Sequence, residues 1–184
     1  MKKLINTFKK EVKQMTRNPG FIHHSWFVKY HLEIVERISL ELCEKYPRAD
    51  KNLVLLLVWF HDYGKIVDFN NQYEATLTKG KKKLLEIGFS NQLVEKIIAY
   101  MKIFDKKENL KDAPIEVQIV SSADGASHLV GPFYHIFWKE NHTWTEQELM
   151  AENKRKALVD WEKKIVLPEV KKAFLERHKL LLAI

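Results

Sequence analysis

The 184-residue sequence has little cysteine, no internal repeat and no apolar run of membrane-spanning length. Its single cysteine, Cys43, excludes an intrachain disulfide and a thiolate metal cluster, and its place beside Leu42 in a helical pattern indicates packing. The apolar run LVLLLVWF, at residues 53–60, is far shorter than the roughly 20 residues that cross a bilayer. The N-terminus interleaves charges with apolar residues, unlike a signal peptide. We therefore expect a soluble protein of the reducing cytoplasm, with no membrane partner.

Several catalytic motifs are also missing. Gly64-Lys65 and Gly80-Lys81 lack the preceding glycine spacing and the following Ser or Thr of a phosphate-binding loop. The sequence contains neither the HExxH motif of zinc proteases nor the GxSxG motif of serine hydrolases. These three kinds of chemistry are excluded by the absence of their motifs.

Positive charge is in excess, with a formal net charge of +7 at pH 7. Basic residues cluster as KGKKK at residues 79–83 and as KRK at residues 154–156. This balance favours anionic partners, either phosphorylated metabolites or nucleic acid. Taken alone, the clusters are more typical of a solvated lysine-rich surface, so charge supports phosphate chemistry only weakly.

Apolar residues recur at helical spacing through most of the chain, which predicts an all-α protein. The expected helices end before residue 18, cover residues 25–45, follow Asp50 as far as a break at Gly64, cover residues 73–87 and 90–104, begin at Pro114, and fill most of the chain after residue 145. Residues 66–71 are predicted as loop. Thr145 and Glu148 have the spacing of a capping box, and Pro168 either kinks the last helical region or divides it.

His61 and Asp62 directly follow the apolar helix. An unpaired ionised carboxylate there would cost several kcal/mol, so a partner is required. A metal ion between the two side chains would serve, with further ligands from other helices. The alternative is a polar pair that ends the helix in solvent.

Two more buried positions complete a possible ligand set. His31 lies in an apolar stripe with Val35 and Ile38, and Asp124 lies beside the buried face of the helix that Pro114 begins. A core histidine and a lysine salt bridge are the respective alternatives. Two imidazoles and two carboxylates would suit Mn, Fe, Co, Ni or Zn better than a hard oxygen cage would.

The order of His31, His61-Asp62 and Asp124, with HDYGK after an apolar helix and ADGASHL at the third position, resembles the HD-domain superfamily of metal-dependent phosphohydrolases. The resemblance covers roughly residues 20–135. It implies an HD-domain-like helical bundle in which His31, His61, Asp62 and Asp124 bind one catalytic divalent metal, Mg included among the candidates. It also implies that Lys65, in HDxGK, contacts the substrate phosphate, so Asp62 and Lys65 are the expected catalytic residues.

The sequence departs from several subgroups of this superfamily. No histidine lies between Asp62 and Asp124, so the extra ligands of dinuclear cyclic-dinucleotide phosphodiesterases are missing and a mononuclear site is expected. Lys65 replaces a glutamate of deoxynucleoside 5′-monophosphatases, and the Glu-Asp dipeptide of alarmone hydrolases is absent. Glu74 stands near a position where relatives often carry histidine, which leaves open a ligand, a base or a surface residue.

Secondary site residues are predicted with their alternatives. His128, one turn beyond Asp124, is a candidate substrate-binding residue or else a solvent-exposed side chain. His24 is a candidate for the pocket rim. Aromatic residues either stack on a nucleotide base or pack the core; they are Phe133, Tyr134, Phe137, Trp138 and Trp144.

The expected activity is hydrolysis of a phosphomonoester or small phosphodiester by a water that one divalent metal activates. A phosphorylated, nucleotide-like small molecule is the expected partner. A noncatalytic nucleotide sensor and a basic nucleic-acid-binding protein are the alternatives. We expect a single domain over residues 1–184, with a metal-binding core at about residues 20–135 and a helical extension at about residues 145–184.

Overall fold

The computed structural model describes residues 1–183, which form α-helices joined by short turns, with no β-strand among them. The all-α prediction is confirmed. The helices are α1 Lys2–Met15, α2 Glu33–Lys45, α3 Lys51–Phe60, α4 Tyr63–Val67, α5 Gln72–Ala75, α6 Lys81–Ile87, α7 Asn91–Lys106, α8 Ile115–Ser127, α9 Phe133–Glu140, α10 Glu146–Val159 and α11 Pro168–Ala183. Single π-helical turns cover Val28–Leu32, Thr76–Gly80 and Asp160–Lys164, and 3₁₀ turns cover Phe69–Asn71 and Leu110–Asp112.

The centre of the bundle is α3, which packs against α2 and α8. Seven of the ten residues of α3 are apolar and buried, including Trp59 and Phe60, whose side chains are fully inaccessible. Asp50 caps this helix, since its side chain accepts hydrogen bonds from two amides of the first turn. A helix buried on all sides is what the apolar run of the sequence predicts.

Other predicted helix ends are also found. Gly88 closes α6 in the left-handed conformation, with φ of +100°, and Ser90 caps α7. Thr145 and Glu148 form the predicted capping box of α10. The two readings of Pro168 are now resolved, because an extended segment separates it from the preceding helical turn and α11 begins at this proline.

The predicted break at Gly64 is wrong. Gly64 lies inside α4. The break comes before it, between α3 and α4, where His61 is the C-cap of α3 and Asp62 is the N-cap of α4. A Cβ on Gly64 would lie 1.8 Å from the carbonyl oxygen of Gln72. Gly64 is therefore required for close packing of α4 on α5 rather than for a helix end. Part of the predicted loop at residues 66–71 is also helical.

The C-terminal helices are attached to α8 through small and hydroxylated side chains. Ser121 Oγ donates to the carbonyl oxygen of Lys164 at 3.0 Å, and Ser122 Oγ accepts from the amide of Val166 at 3.0 Å. A Cβ on Gly125 would lie 2.9 Å from Ile165. This close contact places the Asp160–Lys164 turn directly over α8.

The predicted domain boundaries stay a prediction, and Ile184, the last residue of the predicted extension, lies outside the described residues. Within the described part of the chain, no helix has both the length and the apolar character needed to cross a membrane.

Candidate metal centre and its cavity

Four predicted ligands converge on one point. His31 comes from the π-helical turn before α2, His61 and Asp62 from the junction of α3 and α4, and Asp124 from α8. His31 Nε2 lies 3.3 Å from His61 Nε2, 3.1 Å from Asp62 Oδ2 and 3.7 Å from Asp124 Oδ1. His61 Nε2 lies 3.4 Å and 3.9 Å from the same two carboxylate oxygens.

Hydrogen bonds on the outer side of each imidazole orient its ring. His61 Nδ1 lies 2.7 Å from the carbonyl oxygen of Val58, which can only accept, so Nδ1 carries the proton. His31 Nδ1 lies 3.1 Å from Ser127 Oγ, whose own proton is donated to the carbonyl oxygen of Asp124. In their neutral forms, rings held this way present unprotonated Nε2 atoms to each other.

The centre therefore brings together two nitrogen lone pairs and two carboxylate oxygens. Four acceptors this close repel one another unless a cation lies between them. Separations of 3.1 to 3.9 Å fit ligand atoms arranged around an ion at metal–ligand distances of about 2.0–2.2 Å. Two triads here have ligand atoms within 4.8 Å of one another, His31-His61-Asp62 and His31-Asp124-His128. Their mixed nitrogen and oxygen donors fit a divalent transition metal.

Both carboxyl groups of the centre are held in their ionised form. Although burial disfavours its charged form, the Asp62 carboxyl has a pKa well below its usual range because Lys65 and His61 lie beside it. Lys164 and His128 have the same effect on the pKa of the buried Asp124. Burial lowers the pKa of His31. Burial acts likewise on His61, but the two carboxylates outweigh it and raise its pKa.

His128 is buried, at 6% exposure, so its reading as a solvent-exposed residue is wrong. Its Nδ1 donates to Asp160 Oδ2 at 2.8 Å, and its Nε2 lies 3.8 Å from Asp124 Oδ1. The ring is stacked against His31, with centroids 5.4 Å apart and planes 5° apart. Burial and nearby Lys156 lower the pKa of His128 to about 3.

Lys164 joins the centre to the C-terminal helices. Its ammonium lies 2.8 Å from Asp124 Oδ2 and 3.1 Å from Asp160 Oδ1, and the two carboxylates raise its pKa although the residue is buried. The predicted alternative for Asp124, a lysine salt bridge, is therefore present as well. It uses Oδ2, while Oδ1 faces the imidazoles.

A cavity of about 630 Å³ opens at this centre. Lys65 lies at its wall with its ammonium 2.8 Å from Asp62 Oδ2. Phe133 and Phe137 line the cavity, as predicted for a stacking wall, whereas Trp144 is exposed elsewhere. At the rim, Glu140 binds the side chains of His23 and Trp26 at 2.9 Å and 2.6 Å.

Some predicted residues do not reach the centre. Glu74 is exposed and outside the cavity lining, so its surface reading holds. His24 is likewise exposed and bonded to the carbonyl oxygen of Phe21, and His23 takes the place predicted for it at the rim. The reading of the His61-Asp62 pair as a solvent-exposed helix end is wrong, because His61 is only 6% exposed.

Sequence reasoning missed four basic residues of the cavity lining, namely Lys107, Arg155, Lys156 and Lys164. It also missed Asp160, which pairs with Lys164. Lysine is common throughout the chain, so no spacing distinguishes these positions. The KRK cluster is the one sequence signal among them, and such a cluster is also typical of a solvated surface. A periodicity of 3.6 residues also does not predict the π-helical turns that carry His31, Asp160 and Lys164. Such turns are frequent at functional sites.

Comparison with protein families decides the classification. The model of the HD domain matches residues 28–127, which include all four converging residues. The chain belongs to the HD-domain family. The matched part of this HD domain ends at Ser127, just before His128 and the C-terminal helices. Comparisons with curated proteins and with solved structures find no match.

Proposed function

We propose that this HD-domain protein is a metal-dependent phosphohydrolase that acts on a phosphomonoester or a small phosphodiester. His31, His61, Asp62 and Asp124 would hold one divalent cation, whose identity among Mn, Fe, Co, Ni, Zn and Mg is open. The observation that carries the proposal is the convergence of two imidazole Nε2 atoms with two carboxylate oxygens, at imidazole–carboxylate distances of 3.1 to 3.9 Å, in an open cavity.

When bound, a divalent cation would supply Lewis-acid activation of a water and of a phosphoryl oxygen. The protein residues position the reaction around it. Asp62 and Asp124 balance the charge of the cation, and the bonds from His31 to Ser127 and from His61 to Val58 keep both imidazoles aligned. Such fixed ligands lose no orientational freedom during the reaction.

Lys65 is the proposed phosphate contact beside Asp62. An ammonium has three N–H donors, and the bond to Asp62 uses one, which leaves others for a phosphoryl oxygen. His128, which lies beside Asp124, is the second proposed polar contact with the substrate. Since its Nδ1–H is directed to Asp160, Nε2 is free to accept a hydrogen bond from a substrate hydroxyl or from water.

A nucleotide-like substrate is the finer part of the proposal. The cavity volume of about 630 Å³ lies in the range of small-molecule sites, and Phe69, Phe133 and Phe137 offer faces for a base. The lysines of residues 79–83 do not favour nucleic acid, since Lys79, Lys81 and Lys83 already form ion pairs with Asp68, Glu95 and Glu11. The single cysteine, buried and free, suits a reducing cytoplasm.

The test is a panel of phosphorylated metabolites, nucleotides and a chromogenic phosphate ester, assayed with Mn, Co, Ni, Mg and Zn after chelator treatment. We expect hydrolysis that returns with at least one metal, and about one bound metal ion per chain by elemental analysis. Metal binding without turnover, together with tight nucleotide binding, would instead support the noncatalytic nucleotide sensor.

A further inference from the structure

The cationic side chains of the cavity fall into two groups. Lys65 and Lys164 each lie 2.8 Å from a carboxylate of the centre, and Arg155 lies 2.5 Å from Glu152. These three charges are already compensated. Lys107 and Lys156 also line the cavity but have no such close partner among residues 1–183.

Lys156 is held near a carboxylate without bonding to it. Its ammonium lies 3.8 Å from Asp160 Oδ2, beyond hydrogen-bonding distance, and that oxygen already accepts from His128. The ammonium also lies 5.2 Å from the centroid of the Phe133 ring. With a side chain 24% exposed, Lys156 is largely removed from bulk water yet faces the cavity.

Lys107 follows α7 in the left-handed conformation, with φ of +54°. Glycine is the usual residue at such a position because a Cβ is disfavoured there. The neighbouring charges that act on Lys107 are Lys164, Asp124, Asp105 and Asp160, and they do so without a hydrogen bond. Lysine therefore occupies a backbone conformation that glycine would adopt with less strain.

We propose that Lys107 and Lys156 together bind the phosphate group of the substrate on the Asp124 side of the metal centre. This inference rests on the proposed function and adds two cationic contacts to that of Lys65. Both lysines line the same cavity and have Asp124, Asp160 and Lys164 as charged neighbours. Lys65 is a further charged neighbour of Lys156.

Charge balance supports this assignment. Asp62 and Asp124 would neutralise a divalent cation, so a phosphate dianion that approaches the centre needs further positive charge. Lys65 and Lys164 each lie 2.8 Å from a carboxylate oxygen, whereas Lys156 is 3.8 Å from Asp160, too far for a hydrogen bond. Burial lowers the pKa of Lys107, and it lowers that of Lys156 to about 8. A bound anion would therefore stabilise the charged form of both lysines.

The test measures calorimetric binding of inorganic phosphate to the full chain, with the metal bound and after chelator treatment. Lys107→Gln and Lys156→Gln are each expected to weaken binding by about 10- to 100-fold in both states, the scale of one lost charge-assisted contact. Lys106→Gln and Lys154→Gln are the matched controls, since they remove neighbouring lysines outside the cavity lining. They should change the affinity by less than about twofold.

A second variant separates binding from folding. Lys107→Gly relieves the left-handed backbone, so its thermal midpoint should equal or exceed that of the wild type while phosphate affinity falls as in Lys107→Gln. Asn109→Gly, at φ of +53° in the same loop and outside the lining, should leave phosphate affinity unchanged.

The outcomes distinguish this inference from the proposed function. Unchanged phosphate affinity and unchanged KM in both Lys→Gln variants would overturn the inference, even if the wild type hydrolyses phosphate esters. Conversely, lysine-dependent phosphate binding in a protein without hydrolytic activity would support the phosphate site and overturn the proposed function.

Discussion

The cavity has two walls that differ in how their charges are arranged. The metal wall consists of His31, His61, Asp62 and Asp124, and each of these side chains has a fixed partner on its outer side. The lysine wall consists of Lys107, Lys156 and Lys164, of which only Lys164 forms close ion pairs. One wall is preorganised by the protein itself, whereas the other has positive charge left for an incoming anion.

The walls also differ in where most of their residues lie in the chain. The whole metal wall lies in residues 28–127, which the HD-domain family model matches. Lys107 lies in that part too, but Lys156 and Lys164 lie beyond it, on α10 and the turn that follows. Two of the three lysines therefore come from helices outside the matched part of the chain. The following predictions test that division.

The largest effect is expected at the metal wall. His61→Ala and Asp62→Ala should each lose the metal and reduce activity by more than about 1,000-fold, because coordination and charge balance fail together. Elemental analysis and kcat/KM on the best substrate are the measurements. His24→Ala, an exposed histidine outside the cavity, is the control. Full metal content in either variant would remove that residue from the site.

Lys164 carries the buried charge between the two walls, and its loss should mainly lower the free energy of unfolding. Lys164→Met leaves Asp124 and Asp160 without their shared ammonium, so the free energy of unfolding should fall by about 3–5 kcal/mol. Urea denaturation of metal-free protein measures this, with Lys163→Met as the exposed control. A change below about 1 kcal/mol would show that the two walls are not coupled through this residue.

Lys65 distinguishes phosphate contact from metal binding. Lys65→Ala should keep the metal while kcat/KM falls by about 10- to 1,000-fold, the scale of one lost charge-stabilising contact. A protonated ammonium is not a metal ligand, so elemental analysis should match that of the wild type. Unchanged kcat/KM would assign Lys65 to the support of Asp62 alone.

The pH dependence of folding should reveal the buried imidazole behind the metal wall. The pKa of His128 is lowered to about 3, chiefly by burial, against about 6.5 in the unfolded chain. Between these values the unfolded state binds more protons, so stability falls as pH falls, with a slope of about 1.4 kcal/mol per pH unit from this group.

That contribution should disappear in His128→Gln, whose stability between pH 6 and pH 4 should vary less steeply than that of the wild type when both are measured metal-free. His24→Gln should keep the wild-type slope, since this imidazole is exposed. Equal slopes in the wild type and His128→Gln would indicate that His128 titrates normally.

The smallest expected effect concerns the segment that carries Lys156. Thr145→Ala removes the hydroxyl of the α10 capping box and should lower the free energy of unfolding by about 1 kcal/mol. Phosphate affinity should not change at temperatures where the protein stays folded. A loss of affinity there would mean that the start of α10 controls the lysine wall.

Much of the fold could be predicted from local rules. Asp50, Ser90 and Thr145 cap helices as their positions suggest, and Gly88 ends one in the left-handed conformation. These features depend on hydrogen bonds within a few residues. Gly64 was misread because its role depends on the carbonyl oxygen of Gln72, a contact between two helices.

The candidate site divides in the same way. The four residues of the metal wall could be found because rare, chemically distinct side chains occur at apolar helix positions and in the order of a known family. His128 was misplaced, since nothing local indicates that Asp160, 32 positions later, lies 2.8 Å away. Lys107 and Lys156 could not be told from the other lysines.

The sequence by itself determined the helices, their caps and the identity of the residues able to bind a metal, because each depends on local spacing and side-chain chemistry. Only the tertiary structure decided which charges meet. Burial and distance set the energy of a charge, and both follow from how α7, α8 and the Asp160–Lys164 turn pack. That packing pairs Lys164 with Asp124 and leaves Lys107 and Lys156 facing the cavity.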